Sequence, residues 1–159
     1  MTDPAPPDLN VILYSPRIPQ NVGSVARLCA AMRVRLHVVR PVPFPLDDRA
    51  LRRAGMDYLD FLDWQVHVDW EACRAALLPE STVWLYTTRG TVPAHSAPIR
   101  PGDALLFGNE SHGVPDAIHT AIGPARSLRL EMRDPRARSL NLAMSCAMGV
   151  YGALGGWGG

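Results

Sequence analysis

Three short polar segments interrupt otherwise apolar stretches of the chain: PQNVGSVAR at Pro19–Arg27, FGNESHGVP at Phe107–Pro115 and RSLNLA at Arg138–Ala143. In each segment a glycine or a small residue stands at a predicted strand or helix boundary. Gly108 would let a ligand approach the backbone, whose N–H and C=O groups can then recognise it. The side chains able to form hydrogen bonds there are Asn21, Arg27, Asn109, Glu110, Ser139 and Asn141. Together they predict a site for a polar ligand.

Several common sites are excluded by the same residues. Gly108 and Gly113 have the glycine spacing of a phosphate-binding P-loop, but Val114 and Pro115 stand where lysine and serine or threonine are needed. No G-x-G-x-x-G follows a predicted strand, and no G-x-S-x-G turn offers a serine nucleophile. The five histidines, His37, His67, His95, His112 and His119, show no paired metal-ligand spacing. We therefore predict no metal site.

The elements that must position these segments alternate along the chain, which predicts an α/β fold with a mainly parallel, six-stranded sheet and helices on both faces. Strands are predicted at Asn10–Tyr14, Leu36–Arg40, Gln65–Val68, Val83–Thr87, Ala104–Phe107 and Ser127–Leu130. Helices are predicted at Val22–Met32, Asp47–Ala54, Trp70–Leu77, Pro115–Ala121 and Ser139–Leu154. Asn21 is a candidate cap for the first helix, and Gly55 a candidate stop for the second.

The last predicted helix, Ser139–Leu154, is apolar nearly all round, unlike a surface helix with one apolar stripe. A terminal helix of a small domain rarely finds that much cover within its own chain. The pattern therefore favours a homodimer interface along this helix. An internal core helix in a monomer is the alternative.

The length of 159 residues predicts a single domain at 9–154, with a flexible lead at 1–8 and a flexible tail at 155–159. Hydrophobic residues make up 47% and charged residues 19%, as in ordinary globular proteins. The chain has neither an 18-residue apolar run nor a signal peptide, so we expect a cytoplasmic protein without a membrane span. Cys29, Cys73 and Cys146 are predicted to be reduced thiols in the core.

Charge is unevenly distributed although the net charge is only +1. From Leu9 to Leu46 the chain carries five arginines and no acidic residue, whereas acids concentrate from Asp57 to Glu71. A second arginine cluster lies between Arg126 and Arg138. The surface field is therefore expected to be polarised, although net charge alone does not indicate a nucleic-acid partner.

The three polar segments resemble the signature motifs of the SPOUT RNA methyltransferases, in the branch that methylates ribose 2′-hydroxyls. The matching motifs are N-x-G-x-x-x-R at Asn21–Arg27, F-G-x-E-x-x-G-x-P at Phe107–Pro115 and S-L-N-L at Ser139–Leu142. DDRALRRAGMDYLDF at Asp47–Phe61 and TTRGTVPAHS at Thr87–Ser96 look like segments of the minimal, single-domain members, which modify the tRNA wobble nucleotide. The resemblance extends from about Leu9 to Leu154.

This resemblance implies S-adenosylmethionine bound at a deep C-terminal trefoil knot, at the carboxyl edge of a parallel sheet, in an obligate homodimer. General topology rules argue against knots, so residue patterns alone would not predict one. The cofactor contacts implied by position are Tyr86, Thr87, Gly108, Asn109, Leu130, Met132 and Ser139. Methyl transfer to a ribose oxygen needs alignment and removal of one proton, but no metal.

The resemblance also implies roles in catalysis and RNA binding. Arg27 occupies the position that engages the target phosphate and helps to deprotonate the hydroxyl, although a guanidinium is by itself a poor base. Asn21, Glu110, Ser139 and Asn141 are expected to orient Arg27, the loops and the nucleotide. The implied substrate is the tRNA anticodon stem-loop. Phosphate contacts position such a substrate, and the predicted basic patch for them consists of Arg49, Arg52 and Arg53 beside Arg17, Arg136 and Arg138.

Other interpretations of these residues stay open. Asn21 and Ser139 could serve only as helix caps, Glu110 as a turn acid and Asn141 as a polar residue of the first helical turn. The same fold could instead methylate ribosomal RNA, or bind RNA without catalysis. Single arginines of the basic patch could equally form a solvated helix face.

Overall fold

A computed structural model describes residues 7–53 and 56–155. Its strands are β1 (Asn10–Tyr14), β2 (Arg35–Val39), β3 (Trp64–His67), β4 (Val83–Tyr86), β5 (Val92–Pro93), β6 (Ala104–Phe107) and β7 (Ser127–Arg129). Its helices are α1 (Pro19–Met32), α2 (Asp48–Arg53), α3 (Trp70–Ala76), α4 (Asp116–Ile122) and α5 (Leu142–Gly155). One-turn 3-10 helices lie at Leu59–Phe61, Ala94–Ser96 and Pro124–Arg126.

The strands form one parallel sheet in the order β3-β2-β1-β6-β4-β7-β5. Successive strands run outward from β1 on one side, and the later strands fill the other side. The order therefore reverses between β1 and β6, so the loops that follow these two strands diverge and leave a crevice at the carboxyl edge. Ligands of open α/β sheets characteristically bind at such a switch point.

Both faces of the sheet are covered, as predicted. Along β1, Val11 and Leu13 face α1 and α5, while Ile12 faces the opposite side with α3 and α4. Strands buried on both faces carry near-continuous apolar runs, and LLF at the end of β6 is such a run. Among the described residues, no helix combines the length and apolar character needed to cross a membrane.

The prediction of six strands was wrong, because the described part of the chain forms seven. The additional strand, β5, has only two residues, pairs with β7 at the sheet edge and contains a proline. A strand this short carries no alternating pattern, and proline is tolerated at an edge. The other six strands begin and end within one residue of their predicted bounds.

Two predicted helix starts were also wrong. α1 begins at Pro19, so Asn21 lies within the first turn rather than at the cap, and Pro19 takes a position that favours proline. α5 begins at Leu142 rather than Ser139, and Asn141 caps it by accepting from the backbone N–H groups of Ala143 and Met144.

Some predicted features lie outside the described residues. These are the Ala54–Gly55 end of the second helix and most of the predicted lead and tail. The trefoil knot and the flexibility of the two ends stay predictions.

Gly90 packs closely against β7. A Cβ on this residue would lie 2.6 Å from the carbonyl carbon of Leu128.

The three cysteines are free and buried, which confirms their prediction as core thiols. Burial raises the pKa of the Cys29 and Cys73 thiols to about 12, so both stay neutral at physiological pH.

A buried polar chain crosses the sheet beside Cys73. His37 Nδ1 lies 2.9 Å from His67 Nε2, and His37 Nε2 lies 2.9 Å from the Asn10 side-chain oxygen. The Asn10 amide donates to the carbonyl of Gly102, so its oxygen is left to accept from His37. His37 Nδ1 then accepts from His67, and both rings are neutral.

We predict that this histidine pair destabilises the fold at acidic pH. Burial first, and then the neighbouring His67, lower the pKa of His37 from 6.5 to about 4, and burial also lowers the pKa of His67. A lowered folded-state pKa means that the unfolded chain takes up protons first as the pH falls from 6.5 towards 4. His37 alone should remove about 2 to 3 kcal/mol of unfolding free energy over this range.

Urea unfolding at pH 7 and at stepwise lower pH measures this loss. In His37→Gln the fall in unfolding free energy with pH should be shallower, whereas exposed His95→Gln should follow the wild type. Equal pH dependence in all three proteins would contradict the assignment to His37.

Candidate active site

A cleft of about 600 Å³ opens at the switch point of the sheet. Its walls come from the start of α1, the ends of β4 and β6, and the segment that precedes α5. All seven predicted cofactor residues line it: Tyr86, Thr87, Gly108, Asn109, Leu130, Met132 and Ser139. The tertiary structure thus brings together residues that are separated by more than fifty positions in sequence.

The loop after β6 is held in one shape by its own backbone and by Asn109. Asn109 and Gly113 exchange backbone hydrogen bonds of 3.2 and 3.1 Å, and the Asn109 side-chain oxygen accepts from the N–H groups of Ser111 and His112. At Gly108 a Cβ would lie 2.4 Å from Gly113, so only glycine fits there. The loop can therefore present its main chain to a ligand.

Glu110 connects this loop to the start of α1. Its carboxylate accepts from the backbone N–H groups of Arg17, at 2.9 Å, and Ile18, at 3.2 Å. Ile18 is the cap residue of α1 and has no capping side chain of its own. A carboxylate here satisfies donors at the positive end of the helix and supplies the missing cap from a distant loop.

Asn21 links all three polar segments. Its side-chain N–H donates to Glu110 at 3.3 Å, and its side-chain oxygen accepts from the Asn141 amide at 3.2 Å. Since Asn141 also caps α5, one row of side chains joins α1, the β6 loop and the start of α5. Asn21, Glu110 and Asn141 all line the cleft, so the row forms part of its wall.

Two buried aromatic rings form the floor of the cleft. Tyr86 and Phe107, at the ends of β4 and β6, are stacked with their ring centroids 4.7 Å apart. Burial, and to a lesser extent Cys146, raise the pKa of Tyr86 to about 12, so its hydroxyl stays protonated. This apolar floor suits the flat, apolar part of a ligand.

Arg27 lies outside this cleft wall. It is exposed on α1, and within the described residues its guanidinium forms no ion pair. Tyr58 lies next to it, with its hydroxyl donating to the Gly23 carbonyl one helical turn away. Sequence patterns did not single out Tyr58, which appeared only within the longer segment resembling the minimal SPOUT members.

The arginines predicted to bind RNA fall into two groups. Arg49, Arg52 and Arg53 lie on α2, where all three are exposed, while Arg138 lines the cleft and Arg17 lies beside Glu110. Arg52 forms an exposed ion pair with Asp60 at 2.6 Å, which the sequence did not predict. Exposed pairs of this kind contribute little stability.

Three further basic side chains line the cleft without having been predicted as site residues: Arg89, His119 and Arg129. Burial lowers the pKa of His119, so its imidazole is neutral at physiological pH. Arg89 pairs with Asp116 at 2.9 Å and lowers the pKa of that carboxyl, and Arg129 donates to the backbone carbonyl of Thr88. The sequence indicated Arg89 only through the Thr87–Ser96 segment at the carboxyl end of a predicted strand, and Arg129 only as a member of the second arginine cluster.

One buried group of possible metal ligands was missed by sequence spacing. The ligand atoms of His37, His67 and Cys73 lie within 4.8 Å of one another. The hydrogen bonds of the polar chain already occupy both His37 nitrogens and His67 Nε2, so the group is satisfied without a metal.

Comparison with known proteins adds the family. The model described as "SpoU rRNA Methylase family" matches residues 8–151. The tRNA (cytidine(34)-2'-O)-methyltransferase of Burkholderia pseudomallei is 43% identical over 145 residues, covering 91% of this chain and 92% of that protein.

Solved structures with the same fold support this family assignment. One, described as "Structural insights into the 2-OH methylation of C/U34 on tRNA", has a TM-score of 0.87 and 38% identity, covering 98% of this chain and 94% of that one. The SpoU methyltransferase AviRb of Streptomyces viridochromogenes, in complex with the cofactor AdoMet, has a TM-score of 0.76 and 23% identity, covering 97% of this chain and 62% of that one. At that identity it demonstrates only the shared fold.

We predict that removing the Glu110 charge loosens the start of α1. Glu110→Gln keeps the shape of the side chain but weakens its bonds to Arg17 and Ile18, and should lower the unfolding free energy by about 1 to 2 kcal/mol. Urea unfolding at neutral pH measures the change. Glu80→Gln is the matched control, because Glu80 is an exposed turn acid. Equal stability of the two variants would contradict the capping role.

Proposed function

Because the chain belongs to the SpoU rRNA Methylase family, we propose that it is a tRNA 2′-O-ribose methyltransferase. It transfers a methyl group from S-adenosylmethionine to the 2′-hydroxyl of the wobble nucleotide, cytidine or uridine 34. The relative from Burkholderia pseudomallei, named a tRNA (cytidine(34)-2'-O)-methyltransferase, supports the choice of tRNA, since 91% of this chain aligns with it. A tRNA substrate implies a cytoplasmic location.

The observation that carries the proposal is the row of hydrogen bonds from Glu110 through Asn21 to Asn141 along the cleft. It joins the three polar segments beside a glycine loop that exposes its backbone, above an apolar floor. Tyr86, Phe107 and Leu130 suit the adenine of the cofactor. The methionine part would be held by backbone groups of the Gly108 loop and by Ser139.

S-adenosylmethionine, when bound, supplies an electrophilic methyl group on its sulfonium. The residues of the chain have to align the ribose oxygen with that methyl group and favour loss of its proton. Arg27 would bind the target phosphate, which places the ribose and favours its ionised oxygen through charge. Asn21 and Asn141 orient the segments on which Arg27 and Ser139 lie.

The exposed arginines of α2 supply phosphate contacts that position the anticodon stem-loop. Such contacts carry no base specificity by themselves. A ribosomal RNA substrate would undergo the same methyl transfer, so the experiment must distinguish methylation of tRNA from methylation of ribosomal RNA.

We predict labelled 2′-O-methyl nucleosides from tRNA incubated with the purified protein and labelled S-adenosylmethionine. An anticodon stem-loop with a 2′-deoxynucleotide at position 34 should accept no label, because the acceptor oxygen is missing. Label in ribosomal RNA but not in tRNA would overturn the tRNA assignment. Absence of label in both RNAs would favour a non-catalytic RNA-binding protein.

Arg27→Ala should lower kcat by about 100-fold, since loss of one charge-stabilising donor has effects of this size. Binding of S-adenosylmethionine, measured by calorimetry, should be unchanged because Arg27 lies outside the cleft wall. Arg74→Ala, at an exposed arginine of α3 on the other face of the sheet, is the matched control. Full activity of Arg27→Ala would contradict the catalytic role.

We also propose that α5 forms a homodimer interface. Its inner face is buried, whereas Met144, Met148 and Tyr151 are 65%, 50% and 75% exposed at helical spacing. An apolar stripe on both sides of one helix is typical of a self-complementary, two-fold contact.

We predict that Met148→Glu converts the dimer into a monomer, because it would place one like charge from each subunit in the proposed apolar contact. Light scattering after gel filtration at micromolar concentration measures the mass. Val68→Glu adds the same charge at an exposed apolar residue outside α5 and should leave the mass unchanged. A monomeric wild type would overturn the proposed interface.

A further inference from the structure

A hydrogen bond outside the cleft joins Tyr58 to α1. Tyr58 is half-buried, packs against the core and directly precedes the one-turn 3-10 helix Leu59–Phe61. Its hydroxyl donates to the Gly23 carbonyl, which within α1 also accepts the backbone N–H of Arg27. One carbonyl is therefore shared between the helix and the phenol.

Gly23 and Arg27 stand one turn apart and so share a face of α1. That face is turned towards the 56–61 segment, since the nearest atom to a Cβ built on Gly23 is Met56 Cγ, at 4.0 Å. The phenol therefore lies close to Arg27 on this face of α1. The guanidinium charge reaches the hydroxyl and opposes the rise that burial causes in the pKa of Tyr58, and the net rise keeps the phenol protonated as a donor.

We propose that Tyr58 is a positioning residue for Arg27. This inference rests on the proposed methyl transfer. The phenol restricts where the Arg27 side chain can lie and so presents its guanidinium to the target phosphate. A long, exposed arginine otherwise samples many rotamers, and ordering it in advance increases the fraction of encounters in productive geometry.

The same segment connects Arg27 to the predicted RNA-binding helix. The backbone N–H of Met56 donates to the Leu51 carbonyl in α2, and Arg52 of α2 pairs with Asp60 of the 3-10 helix. The 56–61 segment, which carries Tyr58, is therefore bonded both to α2 and to α1.

Tyr58→Phe removes only the hydroxyl and is the main test. Single-turnover methylation of tRNA should slow by about 3- to 10-fold, while KM for S-adenosylmethionine stays unchanged because Tyr58 does not line the cleft. Tyr14→Phe is the matched control, since Tyr14 is half-buried against the opposite core cluster. Rates are compared well below each melting midpoint, so that a destabilised variant is still informative.

A double-mutant cycle with Arg27→Lys separates positioning from general stability. If Tyr58 acts through Arg27, its hydroxyl should matter less once the guanidinium is gone, and the two effects should not multiply. An equal slowing by Tyr58→Phe in both backgrounds, or no slowing in the wild type, would overturn the proposal.

A measurement that needs no activity distinguishes failure of this inference from failure of the proposed function. The heteronuclear NOE of the Arg27 Nε–H signal, assigned by its loss in Arg27→Lys, reports how ordered the side chain is. It should be lower in Tyr58→Phe than in the wild type or in Tyr14→Phe. Equal values would overturn the positioning role whatever RNA the protein methylates.

Discussion

The arrangement of the site depends on the Glu110 carboxylate. It accepts two backbone N–H groups at the start of α1 and the amide of Asn21 in the first helical turn. No residue next to α1 in sequence caps it, since Ile18 cannot accept through its side chain. The helix that carries Arg27 is thus oriented by a loop about ninety residues away, and the cost of leaving helix donors unpaired favours this one orientation.

Asn21 connects Glu110 to Asn141, which directly precedes the last helix, α5. An amide has a donor and an acceptor on one side chain, so it can join a carboxylate on one side and another amide on the other. Asn141 on that far side uses its oxygen to cap α5. A helix cap lies at each end of the row, so each of these residues satisfies its own helix or loop and also bonds to the next.

The packing of α5 against the sheet supports this row of hydrogen-bonded side chains. Gly149 lets α5 approach the sheet, where a Cβ would lie 3.1 Å from the Tyr86 ring and 3.2 Å from the Phe107 ring. These rings form the floor of the cleft, so the contact that seats the last helix also shapes the ligand site. On the other half of the sheet, His37 shows that an imidazole can be fully buried when both of its ring nitrogens have hydrogen-bond partners.

The sequence by itself determined the fold class and six strands to within one residue, because apolar periodicity is local. The seven predicted cofactor residues that line the cleft followed from the resemblance to the SPOUT family and not from these patterns. The sequence could not locate β5, whose two residues carry no pattern, or the caps of α1 and α5, since patterns treated Asn21 and Ser139 as local caps. Only the tertiary structure decided that Glu110 caps α1, that Asn141 caps α5 while bonding to Asn21, and that Tyr58 lies beside Arg27. These contacts join residues 31 to 120 positions apart, and hydrogen bonds between distant residues follow from how the chain packs rather than from local spacing.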